Sequence, residues 1–425
     1  MAQRTVGIAG SWLLTGDPGD APIAAGGVVL DEQGAVLDVG PESALRDRHP
    51  SLRFEKQVAV LTPGLVNAHT HLELCALRGR VPGGRGFAPW VDTLVTLRAQ
   101  TKPELDSEAI DLGVSELLSH GVVAVGEVCN QLHSVDVLSG VPMCVSVFHE
   151  VFGMRRETAD VMHGLAQQER AARASFPAHM RYALAPHTPH TLHPAVLQAL
   201  VRRAAESGVR TSLHLAEHAA ERAFLANGGG PFADWVKSRG SSEIDWEIPA
   251  LDSVRYTDKL GLLGPALIAV HLADARPDEL ALLAERKVQA VLCPRSNLFI
   301  EVKLPPLLDI LRAGLKPGLG TDSLASNTSL DPLAEARALR KRFPTVPALT
   351  LLAMATSWGA DALDYGRVLG RIAPQRYPGV LAFEHTGSAP SDPASYVLDN
   401  ESARRSVLSR PKYPALASLL HEVSP

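Results

Sequence analysis

Residues 63–73 read Pro-Gly-Leu-Val-Asn-Ala-His-Thr-His-Leu-Glu, and this stretch says more about the fold than any other. The apolar run 58–62 predicts a buried strand that the Pro-Gly pair breaks, and 65–69 predicts the next strand. Side chains two residues apart on a strand point to the same face, so His69 and His71 converge. Two neutral imidazoles at this spacing form half of a transition-metal site, although two hydrogen-bonded histidines at a strand end give the same pattern.

Three further apolar segments end in a polar residue that can bind a metal or move a proton. Their last residues are His214 (segment 209–214), His271 (266–271) and Asp322 (316–322). Barrel enzymes with eight parallel strands keep their chemistry at the C-terminal ends of those strands. Each segment alone is also explained by a satisfied histidine or, for Asp322, by an aspartate that caps the next helix through Ser323. Four such strand ends in one chain favour one shared site.

The composition is that of an ordinary globular protein. The chain is longer than one typical domain. The chain has 425 residues, of which 46% are hydrophobic and 20% charged, and its formal net charge is −5. This balance gives no electrostatic footprint for nucleic acid or for an anionic membrane. We therefore expect a small-molecule substrate and neither a nucleic-acid nor a membrane partner, and we leave a homodimer open.

The cysteines and the N-terminal segment bear on the cellular compartment. Four cysteines are scattered along the chain without a Cys-x-x-Cys pair, which predicts reduced thiols rather than disulfides or a cysteine-rich zinc site. The first ten residues make a poor signal peptide, and no segment approaches the roughly 20 apolar residues of a membrane span. We expect a cytoplasmic protein.

The order of predicted elements divides the chain into two parts. From residue 65 to about 358, apolar strands alternate with helix-periodic segments, as in a parallel barrel. Residues 26–30 and 35–39 predict a β-hairpin, and 380–383 and 395–398 predict two late strands. Neither end has enough strands to bury a core alone, so we expect the ends to combine. The predicted α/β fold is a (β/α)8 TIM barrel over 63–370 with a small β-sandwich domain built from both termini, 1–62 and 371–425.

Several motifs together resemble those of a known enzyme family. They are Pro-Gly-Leu-Val-Asn-Ala-His-Thr-His (63–71), His-Leu-Ala-Glu (214–217), His271 and Gly-Thr-Asp (320–322). In this order they resemble the amidohydrolase superfamily of metal-dependent barrel hydrolases, across nearly the whole chain. A glutamate three residues after the strand-5 histidine, here Glu217, is typical of the branch with cytosine, guanine and adenosine-type deaminases. Segments 71–74, 148–153 and 293–297 look most like 6-aminodeoxyfutalosine deaminases of menaquinone biosynthesis.

The resemblance implies a metal site. The residues that would hold the ion are His69, His71, His214 and Asp322. Superfamily members with two metals bridge them with a strand-4 lysine modified by carbon dioxide, and segment 182–190 contains no lysine. We therefore expect one divalent metal per chain. Zinc is the default for three histidines and one aspartate with an open water position, and iron is the alternative.

The resemblance also implies a metal-dependent hydrolytic deamination. A bound metal brings the pKa of water from about 15.7 towards about 7, which supplies hydroxide at neutral pH. His271 and Asp322 would orient the attacking water and accept its proton. Glu217 would act as general acid and protonate the ring nitrogen next to the attacked carbon. The alternative for Glu217 is a surface ion pair with Arg222.

Candidate substrate contacts lie near the same strand ends. His187 follows a strand and a proline, and it suits a ribose hydroxyl or a ring edge. Glu150 ends a strand and suits a sugar hydroxyl or a ring nitrogen. Trp90 suits stacking on an aromatic ring, and a buried core tryptophan is the alternative.

A carboxylated substrate would need a cation. Arg295 is the preferred partner for a benzoate, since a guanidinium binds a carboxylate through two parallel hydrogen bonds. Arg78 and Arg155 are the competing candidates. His190 and His193 are expected to be loop residues.

Two other functions remain open at this point. One is a hydrolase of the same superfamily that acts on another amide or heteroaromatic ring, of the guanine, adenosine, S-adenosylhomocysteine or triazine type. It would keep the metal but would not need Glu217 at a ring nitrogen. The other is a catalytically silent barrel scaffold, which the presence of all four predicted metal ligands disfavours.

Overall fold

The computed structural model describes residues 5–173, 176–239, 244–385, 387–401 and 404–412. The outermost parts of the predicted terminal domain, 1–4 and 413–425, lie outside the described residues. The strands are, in chain order, β1 Val6–Leu13, β2 Ile23–Ala24, β3 Gly26–Leu30, β4 Val36–Pro41, β5 Phe54–Pro63, β6 Leu65–Thr70, β7 Val122–Cys129, β8 Cys144–Val151, β9 Met180–Pro186, β10 Thr211–Leu215, β11 Leu267–His271, β12 Gln289–Leu292, β13 Gly318–Leu319, β14 Val380–Phe383 and β15 Arg405–Ser409.

The helices lie mostly between strands β6 and β14. A short 3₁₀ helix spans Leu72–Leu77. The α-helices are α1 Glu42–Arg48, α2 Phe87–Arg98, α3 Pro103–Ser119, α4 His133–Ser139, α5 Arg156–Ala172, α6 Pro194–Glu206, α7 Ala219–Asn227, α8 Pro231–Ser238, α9 Ser253–Lys259, α10 Pro277–Glu285, α11 Pro294–Glu301, α12 Leu307–Arg312, α13 Pro332–Arg342, α14 Ala348–Met354, α15 Ser357–Ala362 and α16 Pro393–Asp399.

Strands from both ends of the chain form one sheet. Its order is β15-β14-β5-β1-β3-β4, and β2 pairs with β1. The predicted hairpin is confirmed, since β3 and β4 pair antiparallel with Val28 opposite Val39. β14 pairs antiparallel with β5, with Ala382 opposite Leu61, and so joins the C-terminal segment to the N-terminal strands. The two ends combine as one sheet, and a two-sheet sandwich is not seen in the described residues.

The strand predicted at 395–398 is wrong, because these residues lie in helix α16. The Asp392 carboxylate accepts hydrogen bonds from two backbone N–H groups of the first turn, and Pro393 occupies the first helical position. Both features favour a helix start. Adjacent Val397 and Leu398 are both buried, whereas a strand would point them to opposite faces.

Eight parallel strands form two four-stranded sheets, β6-β7-β8-β9 and β10-β11-β12-β13. The sheets approach each other at both edges. At one edge Thr70 forms a parallel bridge with Asp322. At the other edge the His214 N–H donates to the carbonyl of His187 at 3.0 Å. With helices between the strands, this is a TIM-barrel-like α/β fold.

The strand predicted at 316–322 is shorter than expected, since β13 covers only Gly318–Leu319. A Cβ on Gly320 would lie 2.6 Å from the Cβ of His69 and 2.9 Å from its backbone nitrogen. Only glycine permits such a close approach. It lets the Asp322 N–H donate to the His69 carbonyl at 3.1 Å, so the aspartate is delivered beside the histidine.

The strands that the sequence predicts to be buried are buried in the structure. Every residue of β7 and β8 is buried, as in parallel sheets that are covered on both faces. The four cysteines are free and buried, in agreement with reduced thiols. Within the described ranges, no helix combines the length and the apolarity needed to cross a bilayer.

Candidate active site

The ends of strands β6, β10 and β11 and the segment after β13 gather in one place. They carry the five predicted residues, namely His69, His71, His214, His271 and Asp322. Nε2 of His71 lies 3.4 Å from Nε2 of His214 and 3.6 Å from Oδ1 of Asp322. The ring centre of His69 lies 4.9 Å from that of His71 and 5.8 Å from that of His271. Residues up to 253 positions apart in sequence therefore share one cluster.

His69 gives the clearest sign that this cluster suits a metal. Its side chain is fully buried, and neither ring nitrogen has a hydrogen-bond partner among the described residues. Burial, followed by the neighbouring histidines, holds the pKa of His69 well below its usual value, so the ring is neutral. A buried polar atom without a partner is costly. A metal ion would take the free electron pair. Ligand atoms of His69, His71 and Asp322 lie within 4.8 Å of one another, as do those of His69, His214 and His271, so the predicted ligands lie close enough to share one ion.

The cluster is held in an unusual backbone conformation. His271 has φ 76°, Asp322 has φ 55°, and Ala216 has φ 50°. Residues other than glycine rarely adopt this left-handed region, at a cost of about 1–3 kcal/mol each. Such strain persists where the surrounding structure enforces it, which is common at functional sites.

The predicted ligands are oriented by neighbouring groups. Nδ1 of His214 lies 2.9 Å from the His187 carbonyl, which leaves Nε2 facing the cluster. Oδ2 of Asp322 accepts hydrogen bonds from the hydroxyls of Ser296 at 2.5 Å and Ser326 at 3.0 Å. Asp322 does not cap the next helix, α13, whose cap is Asp331.

Asp322 is ionised in this setting. Burial alone would raise the pKa of its carboxyl, but His71 and His271 act in the opposite direction. The hydrogen bond from Ser296 adds to them, and the net pKa is lowered. A carboxylate that is charged at neutral pH is the form that binds a metal.

Glu217 is largely buried beside His271, with 11% of its side chain exposed and its Oε1 3.6 Å from Nε2 of the histidine. Burial, and then the negative charge of Asp322 and two further acidic groups, raise the pKa of Glu217 well above its usual value. The protonated form of Glu217 is therefore more favoured than that of an exposed glutamate. The alternative ion pair with Arg222 is not observed, since the Arg222 guanidinium binds Asp274 at 2.7 Å.

The surroundings of His271 favour a proton acceptor. Burial, ahead of the charges around it, lowers the pKa of His271, so its ring is neutral. The Asn297 amide lies 3.3 Å from its Nδ1, which leaves Nε2 on the side of Glu217. A carboxyl group with a raised pKa and an imidazole with a lowered pKa thus lie side by side, a pairing suited to moving protons.

Glu150 and His187 lie at the edge of the cluster, at the ends of β8 and β9. Oε1 of Glu150 lies 3.6 Å from Nδ1 of His214 and accepts no hydrogen bond among the described residues, while Oε2 accepts from Asn130 at 3.1 Å. Burial would raise the pKa of Glu150, but His187 and His214 lower it overall. Nδ1 of His187 lies 2.7 Å from the hydroxyl of Thr191. The free carboxylate oxygen can accept a hydrogen bond from a ligand.

The two other predicted substrate contacts lie outside this cluster of ligands. Trp90 is buried in an apolar cluster with Leu77 and Ile300. The Nη2 atom of Arg295 donates to the hydroxyl of Thr328 at 2.5 Å, and its backbone N–H donates to Glu335 at 2.8 Å. These contacts hold the start of α11 against helix α13 and the loop that precedes it.

Three of the remaining candidates, Arg78, His190 and His193, have structural partners. Arg78 forms an ion pair with Glu116. Nδ1 of His193 accepts the N–H of Ala195 and caps helix α6. His190 is buried, 2.9 Å from the hydroxyl of Thr188.

Sequence reasoning missed several residues of the site. Ser296 and Asn297 lie in the motif 293–297, where only the arginine was given a role, yet they contact Asp322 and His271. Their place at the start of a helix that follows a strand was the available signal. Ser326 had no comparable signal, because its contact with Asp322 depends on the path of the loop after β13.

Residues 60–407 match the sequence profile of the amidohydrolase family. The chain belongs to this family. Its curated relatives include the aminodeoxyfutalosine deaminase of Deinococcus radiodurans, which is 30% identical over 370 residues, 84% of each chain. They also include a 5-methylthioadenosine/S-adenosylhomocysteine deaminase of Nitratidesulfovibrio vulgaris, 31% identical over 385 residues, 85% of this chain and 79% of the relative. This amidohydrolase is a hydrolase acting on carbon–nitrogen bonds.

Solved structures share the fold of this amidohydrolase. An aminofutalosine deaminase of Helicobacter pylori in complex with methylthio-coformycin has a TM-score of 0.81 at 23% identity, covering 94% of this chain and 97% of that chain. An adenosine deaminase from Xanthomonas campestris with bound zinc has a TM-score of 0.77 at 24% identity, covering 98% and 97%. The family resemblance seen in the motifs is confirmed, and aminodeoxyfutalosine deaminases are among the relatives.

Proposed function

We propose that this amidohydrolase is a metal-dependent deaminase that removes the amino group of an adenine-type nucleoside, with 6-aminodeoxyfutalosine as its substrate. The observation that carries the proposal is the pair of Glu217 and His271, 3.6 Å apart beside the cluster of predicted metal ligands. Hydrolysis of an aromatic amine needs a proton donor for the ring and an acceptor for the proton of water. The names of the sequence relatives support an adenosine-type substrate.

One divalent metal, zinc or iron, would supply hydroxide at neutral pH by lowering the pKa of water towards about 7. His69, His71, His214 and Asp322 would hold it. Segment 182–190 offers no lysine to bridge a second ion, so we infer one metal per chain.

The protein's own groups would carry the protons. Glu217, whose burial raises its pKa and favours the protonated form, donates to the ring nitrogen adjacent to the attacked carbon and makes that carbon electrophilic. His271 and Asp322 orient the attacking water and accept its proton. Glu217 then helps to carry a proton to the departing amine, which leaves as ammonia.

Recognition of the substrate would involve groups around the cluster. The unpartnered Oε1 of Glu150 accepts a sugar hydroxyl, and His187 binds the ribose or the ring edge. Trp90 would stack on an aromatic ring, although its place in an apolar cluster favours a core role. Arg295 is proposed to bind the carboxylate of the substrate tail, in competition with Glu335, whose Oε1 lies 4.0 Å from its Nη1.

We also propose a barrel architecture and a cellular role for the enzyme. We infer that the two parallel sheets close into one eight-stranded barrel over 63–370, with 1–62 and 371–425 forming the small terminal domain. We further infer a cytoplasmic enzyme, either monomer or homodimer, that acts in menaquinone biosynthesis.

Ammonia release by the metal-loaded protein tests the activity. We expect 6-aminodeoxyfutalosine to be turned over with a higher kcat/KM than adenosine, 5-methylthioadenosine or S-adenosylhomocysteine. Faster turnover of 5-methylthioadenosine or S-adenosylhomocysteine would instead assign to this protein the activity that names its 31% identical relative. Release of chloride from a chlorinated triazine without any nucleoside activity would overturn deamination.

Two further measurements test the details. Elemental analysis of protein purified without added metal should give near one equivalent of zinc or iron, and two equivalents that are both needed for activity would contradict the single site. Arg295→Met should lower kcat/KM for the carboxylated substrate by roughly 30- to 5,000-fold, while adenosine turnover stays nearly unchanged. Unchanged selectivity would shift the assignment to Arg78 or Arg155.

A further inference from the structure

A buried carboxyl group that takes no part in the proposed chemistry lies directly behind Glu217. Glu221, in the first turn of α7, is 1% exposed. Its Oε1 accepts the N–H of Ala216 at 3.0 Å, and its Oε2 accepts the N–H of Glu217 at 2.8 Å. Ala216 is left-handed, and successive N–H groups around such a residue form a concavity that binds anions. The Glu221 side chain fills this concavity and closes the segment between β10 and α7.

Glu221 is itself held from several sides. Its N–H donates to Nδ1 of His218 at 3.0 Å, and the hydroxyl of Ser253 donates to its carboxylate. The His218 ring stacks on Phe87 with 3.9 Å between ring centres. On the other side of the segment, the Asp274 N–H donates to the carbonyl of Ala216 at 2.7 Å. These contacts fix the Glu221 side chain in the position from which it accepts the Glu217 N–H.

We propose that Glu221 is a positioning residue that holds the side chain of Glu217 against His271. This inference rests on the proposed function, in which Glu217 is the general acid. The left-handed turn at Ala216 is strained by about 1–3 kcal/mol, and two buried N–H groups would be left unpaired without the carboxylate. The segment would then relax, and a displacement of about 1 Å at a reacting group can cost about 100-fold in rate.

The first test is Glu221→Gln, which keeps the shape of the side chain and replaces one oxygen by an NH₂ group. One of the two backbone N–H groups then loses its acceptor and faces another donor. We expect kcat to fall at least about 10-fold with KM changed less than about 3-fold, because substrate contacts are intact. A kcat within about 3-fold of the wild type would overturn the proposal.

Glu116→Gln is the matched control. The Glu116 carboxylate of α3 likewise accepts a backbone N–H, that of Leu330 at 2.8 Å, and pairs with Arg78. It has no contact with Glu217 in the described structure. Glu116→Gln should leave kcat within about 2-fold of the wild type, because Glu116 does not contact the reacting groups.

A double variant separates positioning from a general structural role. Because Glu221 acts through Glu217, the Glu217→Gln/Glu221→Gln protein should be no slower than Glu217→Gln alone. Rate losses that multiply would mean that the two side chains act independently, and the proposal would be wrong.

Hydrogen exchange gives a readout that needs no substrate. In Glu221→Gln, the amides of Ala216 and Glu217 should exchange faster than in the wild type, as measured by mass spectrometry of peptides covering 211–222, whereas Glu116→Gln should leave them unchanged. Unchanged exchange in Glu221→Gln overturns the proposal. If the wild type releases no ammonia from any nucleoside, the proposed function fails while exchange still decides the role of Glu221. Should Glu221→Gln not fold, Glu221→Asp, which is too short to span both N–H groups, takes its place with the same expected outcomes.

Discussion

At the scale of single residues, the environment shifts the pKa values of two carboxyl groups of the site, Glu217 and Asp322, in opposite directions. Both Glu217 and Asp322 are buried, and burial raises the pKa of each. For Glu217 the neighbouring acidic groups add to this effect, whereas for Asp322 the nearby His71 and His271 and the hydrogen bond from Ser296 lower the pKa overall. Carboxyls whose pKa values are pushed apart can take different chemical roles, and the opposite shifts support the proposed roles of proton donor for Glu217 and anion for Asp322.

The first prediction concerns Glu217→Gln. The amide keeps the shape of the side chain but has no titratable proton, so deamination should fall at least about 100-fold while the metal content is unchanged. Ammonia release and elemental analysis on the same sample measure both. Activity within a few-fold of the wild type would mean that the proton comes from another group.

The pH dependence has a definite sign. The pKa of Glu217 is raised, so the acid form is populated below that pKa and lost as the pH rises through it. The kcat/KM of the wild type should therefore fall on the alkaline side with a group that titrates above the usual glutamate range. The residual activity of Glu217→Gln should lack this alkaline limb, and its persistence would assign the limb to a different residue.

A third prediction concerns the hydroxyl that holds Asp322. Ser296→Ala removes the 2.5 Å hydrogen bond to Oδ2, and groups that orient metal ligands are typically worth about 10- to 100-fold in metal affinity. Competition with a chelator should show a loss of that size. Ser329→Ala, in the loop between β13 and α13, should not change metal affinity, because its hydroxyl accepts the Asp331 N–H and has no hydrogen bond to Asp322 in the described structure.

At the scale of elements, helix-capping residues and the pattern of buried side chains determine whether a segment forms a helix or a strand. Segment 395–398 is rich in apolar residues and has strand-like propensity, but Asp392 and Pro393 supply a helix start and the buried residues lie on one helical face. Strand β13 is short for a different reason, because Gly320 must pass close to His69. Local pattern alone could not resolve either case.

The fourth prediction tests the cap of α16. Asp392→Ala leaves the N–H groups of Ala394 and Ser395 without their acceptor and should lower the free energy of unfolding by about 1 kcal/mol. Urea denaturation measures the loss. Asp392→Asn retains a side-chain acceptor and should stay within about 0.5 kcal/mol of the wild type. Equal losses in both variants would show that the charge, and not the cap, matters.

At the scale of the whole molecule, the terminal sheet and the barrel-like core are one packed body. Leu381 of β14 is fully buried and belongs to the same apolar cluster as Leu65 and Val122, the first residues of β6 and β7. It also lies close to Gly121, where a Cβ would come within 2.5 Å of its side chain. The last sheet strands therefore support the strands that carry the site.

The fifth prediction follows from this packing. Leu381→Ala should lower the free energy of unfolding by about 2–5 kcal/mol through lost burial and a residual cavity. Val407→Ala on the neighbouring β15, where the side chain is half-buried, should cost only about 1 kcal/mol. Loss of activity and loss of tertiary structure should coincide during denaturation of Leu381→Ala. Two separate transitions would mean that the terminal sheet unfolds independently.

The sequence by itself determined those features that depend on neighbouring positions. The spacing of His69 and His71, the three-residue step from His214 to Glu217, and the alternation of apolar strands with helices are all fixed within a few residues by backbone geometry. They sufficed for the barrel-like fold and for the predicted metal ligands. The family motifs extended them to a hydrolase of carbon–nitrogen bonds.

The tertiary structure decided everything that depends on residues far apart in the chain. The hydroxyl of Ser296 reaches Asp322 across 26 positions, and Arg295 meets Glu335 across 40. The pKa of Glu217 depends on how deeply it is buried and on which acidic groups surround it. Hydrogen bonds and electrostatic shifts act over a few ångströms in space, whereas a sequence records distance only along the backbone.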